Sequence, residues 1–134
     1  KEFAPEGWHV PSDAEWTTFE NCLIASGYNY DGTTTEDKIA KAIASTSGWV
    51  EDQDTPGAPG YNQSTNNGSG FNIYPFGTIG DDGPLNGASN SVLWSSTEAN
   101  SDTARRRTLH WGTDYLINSD TNKRYGLSVR LVKD

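Results

Sequence analysis

The chain has one cysteine, Cys22, and no methionine among its 134 residues. A lone cysteine excludes an internal disulfide, so stability has to come from packing and polar bonds. The missing methionine predicts that the chain does not begin at its own start codon and is an excised domain or a processed product. Cations are scarce. Ten Lys and Arg against eighteen Asp and Glu leave a net charge of −8, with a pI near 4.6. That balance excludes the basic footprint of a general nucleic-acid or anionic-membrane binder. No apolar run approaches the ~18 residues of a membrane span, and no signal peptide is recognisable. Histidine is limited to His9 and His110, and neither lies in a metal-ligand spacing. A lone helical cysteine and Ser95-Ser96 with a remote histidine supply no nucleophile, base and orienter together. No catalytic residue is therefore assigned, and the chain is expected not to be an enzyme.

What the chain does have is aromatic bulk: five Trp, six Tyr and four Phe. Such residues bury large areas each, so a core can form despite a hydrophobic fraction of only 33% and a mean hydropathy of −0.73. The length suits one domain, 1–134. Ser12 followed by Glu15 forms a capping box, and Trp16, Phe19 and Leu23 then recur at helical spacing up to Gly27. A second helix is expected from about Thr35 to Ser47, with Ile39 and Ile43 as its apolar stripe. From Glu51 to Gly70 the chain is Gly, Pro, Asn, Ser and Asp without periodicity. A loop of that length is functional or poorly ordered. Strands are expected at 71–76, 92–96, 104–111, 115–118 and 126–132, with Leu127, Val129 and Leu131 on the buried side of the last. Two helices followed by antiparallel strands make an α+β domain. Trp8, Trp16, Trp49 and Trp94 are expected in the core, as is Cys22 on the apolar side of the first helix.

Several blocks, in order, resemble a known family. They are APEGWHVPSDAEW (4–16), AIASTSGW (42–49), NNGSGFNIYPFG (66–77), LWSSTE (93–98) and YGLSVRLVKD (125–134). They are similar to the CPEGWHLPSDAEW, KLKSTSGW, NGTDDYGFSALPGG, WWSSTE and YGFSVRCVKD segments of the Fibrobacter succinogenes major paralogous domain, a bacterial family of the C-type-lectin-like superfamily. The resemblance implies two helices flanking a twisted antiparallel sheet, closed by paired N- and C-terminal strands. It also implies a departure: Ala4 and Leu131 stand where family members often carry cysteine. That reads as the paired loss of a terminal disulfide, worth roughly 2–5 kcal/mol. The superfamily includes the variable proteins of diversity-generating retroelements, whose C-terminal stretch is rewritten at adenine-derived codons. Residues 100–122 resemble such a stretch. Asn100, Ser101, Asp102, Arg105, Arg106, Arg107, Thr108, His110, Thr113, Asp114, Tyr115 and Asn118 all belong to the set that mutated Asn codons yield, whereas Trp111 and Lys123 do not.

The chemistry concentrates in the segment Ala104–Trp111. As a strand it alternates, with Ala104, Arg106, Thr108 and His110 on one face and Arg105, Arg107, Leu109 and Trp111 on the other. Neither face is cleanly apolar. Three consecutive arginines in an acidic chain make a local positive spot suited to a carboxylate or an acidic patch. The plainer reading pairs them with Asp102, Asp114 or Asp120 on a solvated strand. Their aromatic neighbours favour a binding surface, since Trp, Tyr and Arg dominate interface energetics. Candidate ligand-binding residues are Asn100, Asp102, Arg105, Arg106, Thr108, His110, Trp111, Asp114, Tyr115 and Asn118. No cofactor is expected. Calcium through Glu51, Asp52 and Asp54, or through Asp81 and Asp82, is the alternative, but the sugar-binding signatures EPN, QPD and WND are absent.

These features lead to the expectation of a non-enzymatic binding domain, extracellular or on a cell surface, presented by a bacterium or its phage. Its partner would be a protein or a glycan, with no nucleic acid and no membrane insertion. The alternatives are a structural or assembly module of a larger surface protein and a calcium-dependent glycan binder.

Overall fold

The computed structural model describes residues 3–134. The chain enters through a two-residue strand, β1 (Trp8–His9), and turns into helix α1 (Asp13–Ala25). Ser12 starts the helix as the sequence predicts. Its hydroxyl accepts the Glu15 N–H, and the Glu15 carboxylate accepts the Ser12 N–H at 2.8 Å. The other end closes on Gly27 at φ +79°. There the Gly27 N–H reaches Ile24 O and the Tyr28 N–H reaches Leu23 O, the paired bonds of a Schellman stop. Trp16 and Leu23 are buried. Trp16 also meets Phe19 and Phe71 edge-on, with centroids 5.9 and 6.1 Å apart. Cys22, expected in the core, is exposed. It lies one residue off the buried stripe.

The expected second helix over 35–47 shrinks to a single turn, α2 (Ala40–Ile43). Tertiary bonds override the local pattern at both ends. Glu36 adopts φ +62°, which no helix tolerates. Asp37 spends its carboxylate on the Ile39 N–H and on the distant Leu116 N–H instead of capping a long helix. Ala44 turns extended and bridges Ile73 in parallel. That bridge is all that forms of the strand expected at 71–76.

The Glu51–Gly70 loop is built in detail. Gln63 exchanges hydrogen bonds with the Trp49 backbone at 3.0 and 2.9 Å. The buried Asn66 amide donates to Ser45 O and Pro59 O. Lys41 donates its ammonium to Tyr61 O, to Asn62 O and to Asn66 Oδ1. Gly60 sits so tightly that a Cβ there would lie 2.3 Å from Val50 O. Lacking periodicity, the loop is held by side-chain amides in place of a ladder.

Strand pairing divides into three separate antiparallel sheets: β1 with β7 (Val132–Lys133), β2 (Thr78–Gly80) with β3 (Gly83–Leu85), and β4 (Asn90–Glu98), β5 (Thr103–His110) and β6 (Ile117–Asn122) in that order. The architecture is mixed α and β, mostly strand and irregular chain around one substantial helix, and the sheet does not close. The expectation of two flanking helices around a closed unit is corrected accordingly. The strand expected at 126–132 is reduced to isolated bridges at Gly126 and Ser128 before β7. Leu127, Val129 and Leu131 are only half-buried.

The paired terminal strands do form, with Trp8 opposite Lys133 and His9 opposite Val132. His9 lies between Asp134 and Glu15, its ring nitrogens 2.6 and 2.8 Å from their carboxylates. These polar contacts tie the terminal strands together in a chain whose one cysteine can form no internal crosslink. Trp16 and Trp49 lie in the core, whereas Trp94 is half-buried and Trp8 is 45% exposed. A two-stranded ribbon has no second layer to cover Trp8. The core gathers Ile39, Ile43, Ala44, Ile73, Leu93, Leu109 and Leu116 between α2, the inner face of β4–β5 and α1.

Candidate functional site

Strand β5 carries the expected alternation, and its two faces meet different fates. Leu109 and Arg107 point inward, and both are completely buried. The Arg107 guanidinium reaches α1, donating to Asp13 Oδ1 and Glu20 Oε1 at 2.5 Å each and to Thr17 Oγ1 at 3.2 Å. Burial works against its charge, but the two carboxylates outweigh burial and raise its pKa. Arg105 sits toward the open end of the same face and pairs with Asp120, its cross-strand neighbour, at 3.1 Å. Two of the three consecutive arginines are thus neutralised, and the three do not form one positive spot.

The outer face is laid out by the register. Trp94, Arg106 and Ser119 make one cross-strand row, Val92, Thr108 and Ile117 the next, and Asn90 with His110 the third. Arg106 donates Nε–H to Ser119 Oγ at 3.1 Å. It pairs with no carboxylate among the described residues. Burial alone pushes its pKa below the ordinary value. Thr108 is 7% exposed, and its Oγ1 is enclosed without a partner, as is Asn90 Oδ1. His110 Nδ1 accepts the Gly112 N–H at 3.2 Å, which places the proton of the neutral ring on Nε2. Burial holds that ring neutral by lowering its pKa.

The other candidates scatter. Asn100 is spent on the β4–β5 turn, accepting from Asp102 N–H and Thr103 N–H at 2.9 Å. Asp102 is exposed in that turn, where its carbonyl accepts the Lys123 N–H. Asn118 lies opposite Arg107 on β6 and is exposed. Trp111 packs on the core and lies 5.5 Å from the His110 ring. Asp114 uses its carbonyl on Ala40 N–H. Tyr115 is 45% exposed. The structure therefore brings together Arg106, Thr108 and His110. It adds Trp94, Asn90 and Ser119, which sequence reasoning left out although the Val92/Trp94 alternation carried the signal for two of them.

Tyr28, Tyr30, Lys41, Pro56 and Thr65 line a cavity of about 470 Å³. All three ammonium bonds of Lys41 are already spent on the loop. Among the described residues no three His, Cys, Asp or Glu side chains converge as a metal site. Asp81 faces Arg124 at 3.5 Å, and Asp52 accepts from Asp54 N–H. No helix of the described residues is long and apolar enough to cross a membrane.

One helix docked through a buried arginine onto an antiparallel sheet, with termini paired, defines a mixed α and β domain with an open sheet. The sequence profile of the Fibrobacter succinogenes major domain matches residues 1–133, and the chain belongs to that family. Comparison with curated proteins and with solved structures returned no match.

Proposed function

We propose that the chain is a non-enzymatic binding domain of C-type-lectin-like fold, displayed outside a bacterial cell or by its phage. It captures a protein or glycan ligand on the outer face of β5 and the loop that follows. The observation that carries this reading is the contrast among three consecutive arginines. Arg105 and Arg107 are matched by carboxylates, whereas Arg106 is half-buried on the other sheet face with none. Structural arginines acquire partners, so an unmatched one on a rigid strand fits a recognition role. His110 supplies contact area on the same face and Tyr115 is exposed in the loop that follows, and the packed sheet lowers the entropy lost on binding. If residues 100–122 are diversified, Arg107 and Leu109 belong to the fixed frame, and variation is read out at the outer positions.

The test is capture on protein and glycan arrays, comparing the domain with a variant carrying Arg106→Gln, His110→Gln and Tyr115→Ser. Loss of capture at an unchanged melting temperature is expected, and undiminished capture overturns the assignment of the face. A second reading, an assembly module of a larger surface protein, draws support from the exposed Ile79 and Leu85 on the β2–β3 hairpin and the exposed Phe76 just before it. It predicts self-association that Phe76→Ser abolishes.

A further inference from the structure

We infer that the outer face of β5 takes an extended acidic peptide, one of whose carboxylates is held by the Arg106 guanidinium. This deepens the proposed function and rests on the binding-face reading.

The anchor is shaped for a carboxylate. With Nε committed to Ser119 Oγ, Nη1 and Nη2 remain as a planar pair of donors, the geometry that grips a carboxylate in two parallel bonds. The described residues offer this fork no carboxylate, although acidic groups outnumber basic ones in the chain. Partial burial weakens competition from water, so a charge-assisted bond formed there gains more than one at a fully exposed site.

The spacing selects the shape of the ligand. Arg106, Thr108 and His110 project from one face at intervals of about 6.6 Å, and an extended peptide presents alternate side chains at the same interval. A peptide lying along β5 therefore places an acid on Arg106 and, four residues on, an acceptor within reach of His110. His110 meets it as a neutral donor, because Gly112 N–H occupies Nδ1 and leaves the proton on Nε2. Between the two lies Thr108 Oγ1, and opposite His110 lies Asn90 Oδ1, both enclosed without a hydrogen-bond partner. Beside the guanidinium, Trp94 supplies the apolar body against which the peptide stem packs.

The experiment uses three probes: a short peptide of alternating Glu and Thr, its counterpart with Gln for Glu, and an oligogalacturonate. Binding is followed by chemical-shift perturbation of the intact domain. The inference expects the Glu peptide to perturb β5 and the Gln peptide to bind at least ~10-fold more weakly. Arg106→Gln should weaken the Glu peptide roughly 10- to 100-fold, the loss of one charge-assisted pair. Arg106→Lys should recover only part of that, because an ammonium lacks the fork. Arg105→Gln should leave the Glu peptide unaffected. If the Arg106 variants fail to fold, the Glu-versus-Gln comparison on the unaltered domain decides. Equal binding of the two peptides, or binding indifferent to Arg106, overturns the inference. Oligogalacturonate bound through Arg106 with the peptide ignored overturns the peptide assignment. An uncharged array ligand whose capture the triple variant abolishes overturns the carboxylate and leaves the binding face standing. Array capture untouched by that variant overturns the face itself.

Discussion

Arg106 and Arg107 are neighbours in the chain and strangers in the fold. One peptide bond reverses the side-chain direction in a strand, so Arg107 is sealed against α1 while Arg106 faces outward. Arg107 is completely buried with Asp13 and Glu20 as partners. It welds helix to sheet much as a disulfide would weld two elements in a cysteine-rich domain. Arg106 has Ser119 and no carboxylate. The same residue type thus does frame work on one side and stands without a carboxylate on the other. Counting arginines in the sequence conflates the two.

The contrast breaks most sharply at Arg107. Replacing it with Ala leaves Asp13 and Glu20 facing an emptied, largely dry site, and the expected loss is about 3–5 kcal/mol in denaturant unfolding. A loss below ~1 kcal/mol would mean that the inner face is not the frame. Next in size is Ser12→Ala, which removes the cap of the helix that Arg107 grips. Helix capping of this kind is worth about 1 kcal/mol, read from the same unfolding curve.

A smaller effect comes from pH at the terminal clamp. Hydrogen bonds to Asp134 and Glu15 raise the His9 pKa above 6.5. Its stabilisation is therefore complete below 6.5 and is lost as pH rises through the elevated folded value. The Ser12 N–H, the Ser12 hydroxyl and His9 lower Glu15 from 4.5 to about 2. That contribution is present above 4.5 and lost as pH falls towards 2. The melting temperature should consequently fall gently on the alkaline side of the His9 transition, and His9→Gln should flatten that limb. The smallest effect is expected at Arg106→Gln, which should stay within ~0.5 kcal/mol of the parent in unfolding. A large destabilisation there would erase the distinction between the faces.

Local signals were legible where local bonds decide. Ser12, Glu15 and Gly27 announced α1, and the alternation in 104–111 announced β5 with its two faces. The direction of those faces was not legible, because it depends on Asp13 and Glu20 arriving from a distant helix. The second helix failed for the same reason: Asp37 is claimed by Leu116 N–H far along the chain. The 51–70 loop looked featureless because its order comes from the side chains of Gln63, Asn66 and Lys41, which leave no periodic trace. At the candidate site the sequence pointed to Arg106, Thr108 and His110. It could not exclude Asn100, whose carboxamide a turn consumes, nor supply Asn90 and Ser119 from neighbouring strands.

The pairing of Trp8 with Lys133 and His9 with Val132 brings the points of entry and exit together. A host polypeptide would need to be interrupted at only one place to carry this domain as a passenger, without stretching its own backbone across it. The same proximity makes the domain a substrate for circular permutation. A short linker across β1 and β7 with new ends opened at the exposed Asp81-Asp82 turn would preserve every contact of Arg107.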